Sequence, residues 1–337
     1  MLVKPYLCKY FGIKYVSMLN RRLIRVKVFK VLFSKIATNM RNEDAAKADL
    51  LNSCEQTIDL YYFLLKIPVE LKKIAQTKID NGLRKFHPTE EEAHPNLKFV
   101  NNRFISIVEN DPGYCKLLQK KGLVWDAEDS FLRKMYASVV SSEYFTDYMN
   151  SSNDSLEEDV QLIRAIYESE FEDNEALEDI LEDRSLMWMD DMVYAVNLIL
   201  RNLGEIARSG KVSYVKVFAK EDDREFALTL LSHSMAKYDD YMSIVSSHIA
   251  NWEPERLVST DMALIVMGIS EAVAFETIPV KVTINEYVDI SKYYSTANSK
   301  SFVNGLLDRI IQKLLNDGTI VKTGRGLVGG LAGADEK

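Results

Sequence analysis

The sequence predicts an all-α protein, and three observations carry that expectation. Glycine and proline are sparse, 14 and 7 in 337 residues, so few positions force the chain out of a helix. Apolar residues recur at steps of three and four through most of the chain, while alternating β-branched runs are few. Helix-starting residues stand at the heads of several of these runs. An apolar content of 47% is enough for a packed core.

The elements follow in order. "NRRLIRVKVFKVLFSKI" predicts a first helix capped by Asn20. "DAAKADLLNSCEQTIDLYYFLLKIPVELKKIAQTKIDNGL" predicts one or two long amphipathic helices, broken or kinked at Pro68. "HPTEEEAHPNLKFVNNRF" reads as a loop and "DAEDSFLRKMYASVVSSEYFTDYM" as a helix. "NSSNDS", residues 150–155, is a connector rich in cap and turn residues. Residues 154–191 hold fifteen Asp or Glu and two Arg, yet keep helical apolar spacing. "LMWMDDMVYAVNLILRNLGEIA" and "REFALTLLSHSMAKYDDYMSIVSSHIANW" each predict one helix. "TDMALIVMGISEAVAF" has Thr260 as a cap, and "IPVKVTINEYVDISKYYS" has Pro279 as a first helical residue. The latter places Ile284, Val288 and Ser291 on one face, with Glu286, Asp289 and Lys292 off it.

The last helix, "SKSFVNGLLDRIIQKLL", opens at Ser299 or Ser301 and contains Asn304-Gly305, ordinarily a hairpin signal. Its apolar residues, Val303, Leu306, Leu307, Ile310, Ile311 and Leu314, nevertheless keep the helical period. Glycine there costs about 1 kcal/mol relative to alanine, so close approach of another backbone is the expected reason for it. The glycine-rich tail, residues 317–337, reads as disordered.

Net charge is −8, but its distribution is uneven. Residues 1–42 hold ten Lys or Arg and no acid, leaving −18 on the remainder. A basic end on an acidic body points to a polyanion partner for that end, or to contacts with the acidic body itself. Arg21, Arg22 and Arg25 oppose the macrodipole at the start of the first helix, an opposition that a bound phosphate reverses. The segment 154–191, at net −13, reads as a solvated face, a dock for a basic partner, or an internal mimic of RNA. Three widely spaced cysteines fit a reducing, cytoplasmic setting. The longest apolar run is about twelve residues, too short for a membrane span.

Enzyme motifs are missing. No GxGxxG follows a strand, and there is no P-loop or GxSxG. His87 and His94 flank Glu90, Glu91 and Glu92, but spacing places no third metal ligand. No cofactor, metal or catalytic residue is expected.

The stretch "WEPERLVSTDMALIVMGISEAVAFETIPVKVTINEYVDISKYYSTANSKSFVNGLLDRI" resembles the C-terminal half of the NusB transcription antitermination family. "NRRLIRVKVFKVLF" resembles that family's arginine-rich first helix, and "REFALTLLSHSMAKYDDYMSIVSSHI" the helix before the C-terminal half. The resemblance implies an all-α bundle of two packed helical subdomains with a large, mostly helical insertion after the first helix. The expected parts are a basic extension (1–17), an arginine-rich helix (18–42), a partly acidic insertion (43–222), the rest of the fold (223–316) and the tail.

What the resemblance implies of function is a non-catalytic adaptor. With NusE, a ribosomal protein, it would bind the boxA element of nascent ribosomal RNA and join an antitermination complex on RNA polymerase. RNA contacts would be Arg21, Arg22, Arg25, Lys27, Asn298, Lys300, Phe302 and Asn304, with Gly305 permitting tight packing. NusE contacts would be Phe33, Asp261 and Glu271. Ser301 stands where family members often carry a basic residue. Competing readings are a ribosome-assembly factor using the same grip, and a NusB-like domain of an RNA methyltransferase. The second would need glycine-rich loops and a catalytic cysteine that this chain lacks.

Overall fold

Helix α1 (Arg21–Ala37) starts as expected, with the Asn20 side chain accepting from the Leu23 N–H at 2.8 Å. The computed structural model describes residues 19–39, 42–212, 214–218, 220–249 and 258–328, and no strand occurs among them. The expected 1–17 extension lies outside the described residues. Two compact units form. Described residues 19–54 and 217–328 make the first, and 55–216 the second.

Helix α2 (Glu43–Leu65) begins in the first unit and ends in the second. It stops because α3 (Ile67–Leu83) carries Pro68 in its first turn. Pro68 has no N–H for the Leu64 carbonyl, which accepts instead from the Tyr167 hydroxyl at 2.8 Å. The neighbouring carbonyls of Tyr62 and Phe63 accept from Tyr114 Oη (2.7 Å) and Trp125 Nε1 (2.9 Å). Three aromatic donors thereby satisfy the orphaned end of α2.

The second unit continues with α4 (Glu90–Ala93), α5 (Arg103–Glu109), α6 (Pro112–Lys121), α7 (Asp129–Ser141), α8 (Glu143–Asn150), α9 (Leu156–Glu170), α10 (Glu175–Arg184) and α11 (Met192–Ser209). The loop expected over 87–104 contains the short α4, formed by a reciprocal Thr89–Glu92 capping box. The helix expected over 126–149 is divided by Ser142, whose hydroxyl caps α8. Most acids of α9 and α10 are exposed. Asp159 is buried, and accepts from Arg103 Nε at 2.9 Å and Tyr148 Oη at 2.7 Å.

The first unit resumes with α12 (Glu221–Ala236), α13 (Tyr238–Ile249), α14 (Ser259–Ala274), α15 (Val280–Tyr294) and α16 (Ser299–Asn316). The single helix expected over 224–252 breaks at Lys237. Asp239 and Asp240 in the next turn favour a new helix start there. Cap positions shift by one or two residues: Val258, Pro279 and Asn298 stand at the caps, and Thr260 lies inside the first turn of α14. Helix α14 is buried on every side and packs against α1, α12, α13, α15 and α16. The buried face of α16 includes all six apolar residues that its periodicity marks.

Gly305 overturns an expectation. A Cβ there would meet nothing within 4 Å, so close packing is not its role within this fold. The close approach belongs to Gly268 in α14, where a Cβ would stand 2.7 Å from Leu307 Cδ2.

The tail expected to be disordered from residue 317 is held in place as far as residue 328. Ile320 is buried. Lys322 Nζ donates to the Ala272 and Phe275 carbonyls at 2.7 and 2.9 Å, satisfying the C-terminal end of α14. Burial lowers the pKa of that ammonium, against the opposing charges of Glu271 and Glu276. Thr323 N donates to Glu276 O at 3.1 Å, and a 3₁₀ turn follows over Gly324–Leu327. A Cβ on Gly326 would stand 1.9 Å from that same carbonyl oxygen. Composition suggested disorder; Ile320 and a glycine against backbone fasten the strap. Gly326→Ala is expected to cost about 1–3 kcal/mol. A thermal melt and faster tryptic cleavage after Lys322 would report it.

Candidate nucleic-acid interface

The arginine end of α1 separates into an exposed residue, a half-buried one and a buried one. Arg21 is exposed; its Nε donates to Asp223 at 3.3 Å, and its guanidinium lies 4.9 Å from the Phe226 ring centre. The Arg22 side chain is 40% exposed. Its Nε and Nη2 donate to Glu286 at 3.0 and 3.1 Å, and Nη2 also to Asp289 at 2.9 Å. Its hydrogen bonds to Glu286, ahead of the two carboxylate charges, raise its pKa.

Arg25 corrects the expectation that it contacts RNA. Its side chain is 4% exposed, and its fork grips Glu271 at 2.7 and 2.8 Å. Burial works to lower its pKa, and the charge and hydrogen bonds of Glu271 outweigh that, so the guanidinium stays charged. Glu271 is fully buried and also accepts from Thr283 Oγ1 (2.9 Å) and Tyr287 Oη (3.0 Å). It therefore presents no surface to a NusE-like partner. Burial raises the Tyr287 pKa, keeping it a neutral donor.

Lys27 is buried as well and donates to Ser53 Oγ at 3.3 Å. Both cations lie in a stretch of α1 that is buried on every side, with Leu23, Ile24, Val26, Val28 and Phe29 buried around the same turns, and a helix apolar on all sides lies inside. That pattern was visible in "LIRVKVF" and outranks the charge count.

Asp261 is also interior, with its carboxylate accepting from Ser299 Oγ at 2.7 Å. It fastens the start of α16 to α14 and cannot meet a partner protein. Phe33 remains half-buried on α1, 6.0 Å from the Phe29 ring.

At the start of α16, Asn298, Lys300, Ser301 and Asn304 are exposed and Phe302 is half-buried. Among the described residues Arg21 and Arg22 have Asp223, Glu286 and Asp289 as their hydrogen-bond partners rather than this group. The two lie along α15, which meets Arg22 at Glu286 and Asp289 and Phe29 at Tyr294, just before α16. Lys30 Nζ stands 5.8 Å from the Tyr294 ring centre between them. Sequence reasoning missed the partners of Arg22. The signal was the 286/289 spacing, which puts two carboxylates on one flank of α15.

No group of three metal-ligating side chains occurs among the described residues, and no helix among them is long and apolar enough to cross a membrane. The model of the NusB family matches residues 191–312. The transcription antitermination protein NusB of Salinibacter ruber is 38% identical over 117 residues, 34% of this chain and 73% of that protein.

The chain belongs to the NusB family.

NusB proteins of Chloroherpeton thalassium (34% identical over 105 residues, 31% of this chain and 50% of that protein) and Syntrophus aciditrophicus (30% over 123, 36% and 74%) are also similar. No solved structure matches the chain. The family match begins at Asp191 and so includes α11, which lies in the second unit. Helix α1 falls outside the match and packs against α12 and α14, which lie within it.

Proposed function

We propose that this protein is a non-catalytic, RNA-binding adaptor of transcription antitermination. It binds a boxA-type single strand of nascent ribosomal RNA together with a NusE-like ribosomal protein, within a complex on RNA polymerase in the cytoplasm. Membership of a family whose relatives are named transcription antitermination proteins carries the reading. The exposed Arg21, the half-buried Arg22 and an exposed α16 start support it. Arginine forks hold phosphate, and an aromatic such as Phe302 stacks an unpaired base. Arg25 and Lys27 drop out of the contact set because they are buried. Phe33 stays as the NusE-facing candidate.

Fluorescence anisotropy with a boxA RNA and a scrambled control tests this, with and without NusE, over a salt series. The expected result is selective binding that NusE strengthens. Arg21→Ala with Arg22→Ala should weaken it by about tenfold and flatten the logarithmic salt dependence by about 1.4, two phosphates at about 0.7 each for a single strand. Equal affinity for the scrambled RNA, or indifference to the double substitution, would remove the reading.

A further inference from the structure

Arg22 is held by two carboxylates rather than one, and their placement leaves a defined part of its guanidinium open. Nε and one N–H of Nη2 are taken by Glu286, and the other N–H of Nη2 by Asp289. Nη1 has no hydrogen bond among the described residues. Glu286 is itself fixed from behind by Arg25, whose Nη1 lies 3.6 Å from it. Asp289 is fixed from the far side by the Lys292 ammonium. The guanidinium plane is thus set by groups that are anchored in turn, and Nη1 is the nitrogen left for a further acceptor.

We propose that Glu286 and Asp289 are positioning residues that make the arginine end of α1 selective among polyanions. They orient Arg22 and offset most of its charge. A phosphate arriving in an arbitrary place gains little from a cation already paired twice. A phosphate delivered to Nη1 by a strand held elsewhere on the surface forms a short charge-assisted N–H···O bond in a fixed direction. General attraction is suppressed and geometric recognition kept, as repulsive elements do in specific interfaces. The inference rests on the reading of Arg22 as an RNA contact.

The test uses the full chain and four probes: boxA-type RNA, the same RNA scrambled, poly(U), and heparin as a polyanion without bases. Asp289→Asn removes the more exposed carboxylate. It is expected to raise affinity for scrambled RNA, poly(U) and heparin by about two- to fivefold, the range of a partly exposed ion pair. The salt dependence for these probes should steepen by about 0.7, one more phosphate engaged. Affinity for boxA RNA should rise less, so selectivity falls. In an Arg22→Ala background Asp289→Asn should have no effect.

Unchanged or weaker heparin and poly(U) binding by Asp289→Asn would overturn the inference, as would a gain that persists without Arg22. A merely structural role for Asp289 predicts a lower melting temperature with weaker binding, the opposite sign. Glu286→Gln is the second variant and should act in the same direction. Failure of the wild-type protein to prefer boxA RNA would count against the proposed function alone. The heparin comparison among wild type, Asp289→Asn and Arg22→Ala judges the positioning role regardless.

Discussion

Glu271→Ala is expected to destabilise the first unit by about 3–5 kcal/mol, the cost of leaving a buried charge without its partner. A typical domain has about 5–15 kcal/mol in total, so the variant stands near the edge of folding. The magnitude follows from what Glu271 satisfies. Its two oxygens accept from Arg25 Nε and Nη2, Thr283 Oγ1 and Tyr287 Oη, and the residue is fully buried. Alanine leaves four donors facing a void. Glu286, 3.6 Å from Arg25 Nη1, offsets part of the stranded charge. Arg25→Met should cost a similar amount, because it strands the carboxylate. Replacing both at once, Arg25→Met with Glu271→Leu, should recover much of either loss, because the pair leaves together and apolar volume fills its place. Urea denaturation followed by circular dichroism measures all three. A loss below about 1 kcal/mol for Glu271→Ala would show that the pair contributes no more than a surface salt bridge.

That network shows what the sequence disclosed and what it withheld. The class of fold was legible because helical period and scarce glycine and proline are local properties. The six buried apolar residues of α16 could be named from spacing alone. The break at Pro68 was equally local, since a missing N–H acts on its own helix. What stayed hidden depends on partners distant in the chain. Arg21, Arg22 and Arg25 look alike in sequence, yet Asp223, Glu286 and Glu271 give them three different fates, 202, 264 and 246 residues away. Charge near a helix start suggested RNA for all three. Only the apolar residues on every side of Arg25 and Lys27 argued for burial, and that argument is stronger than a count of cations. Asp261 and Glu271 matched family positions, but matching positions did not reveal that both serve interior packing. The tail misled for the converse reason. Composition averages over Ile320, Lys322 and Gly326, the three residues that hold it.

Trp125→Ala is expected to remove about 3–5 kcal/mol from the second unit, the range for deleting a large buried aromatic. Trp125 is 1% exposed and stacks on Phe63 with ring centres 4.0 Å apart and planes 10° from parallel. Phe131 lies on it at 6.0 Å and 16°. Its Nε1 donates to the Phe63 carbonyl, one of the three left at the end of α2 by the break before Pro68. Packing and hydrogen bonding therefore fail together in the alanine variant. Trp125→Phe separates them, because most of the stacked area stays and only the donor is lost. It should cost about 1–3 kcal/mol, the penalty for an unmet buried carbonyl, reduced by the long turn bond from Lys66 N to the same oxygen at 3.4 Å. Urea midpoints of the two variants decide the matter. If phenylalanine is as costly as alanine, the carbonyl dominates and the end of α2 is the weak point of this unit. If phenylalanine is nearly silent, stacking dominates, and Lys66 N with the tightened last turn is enough to close the helix.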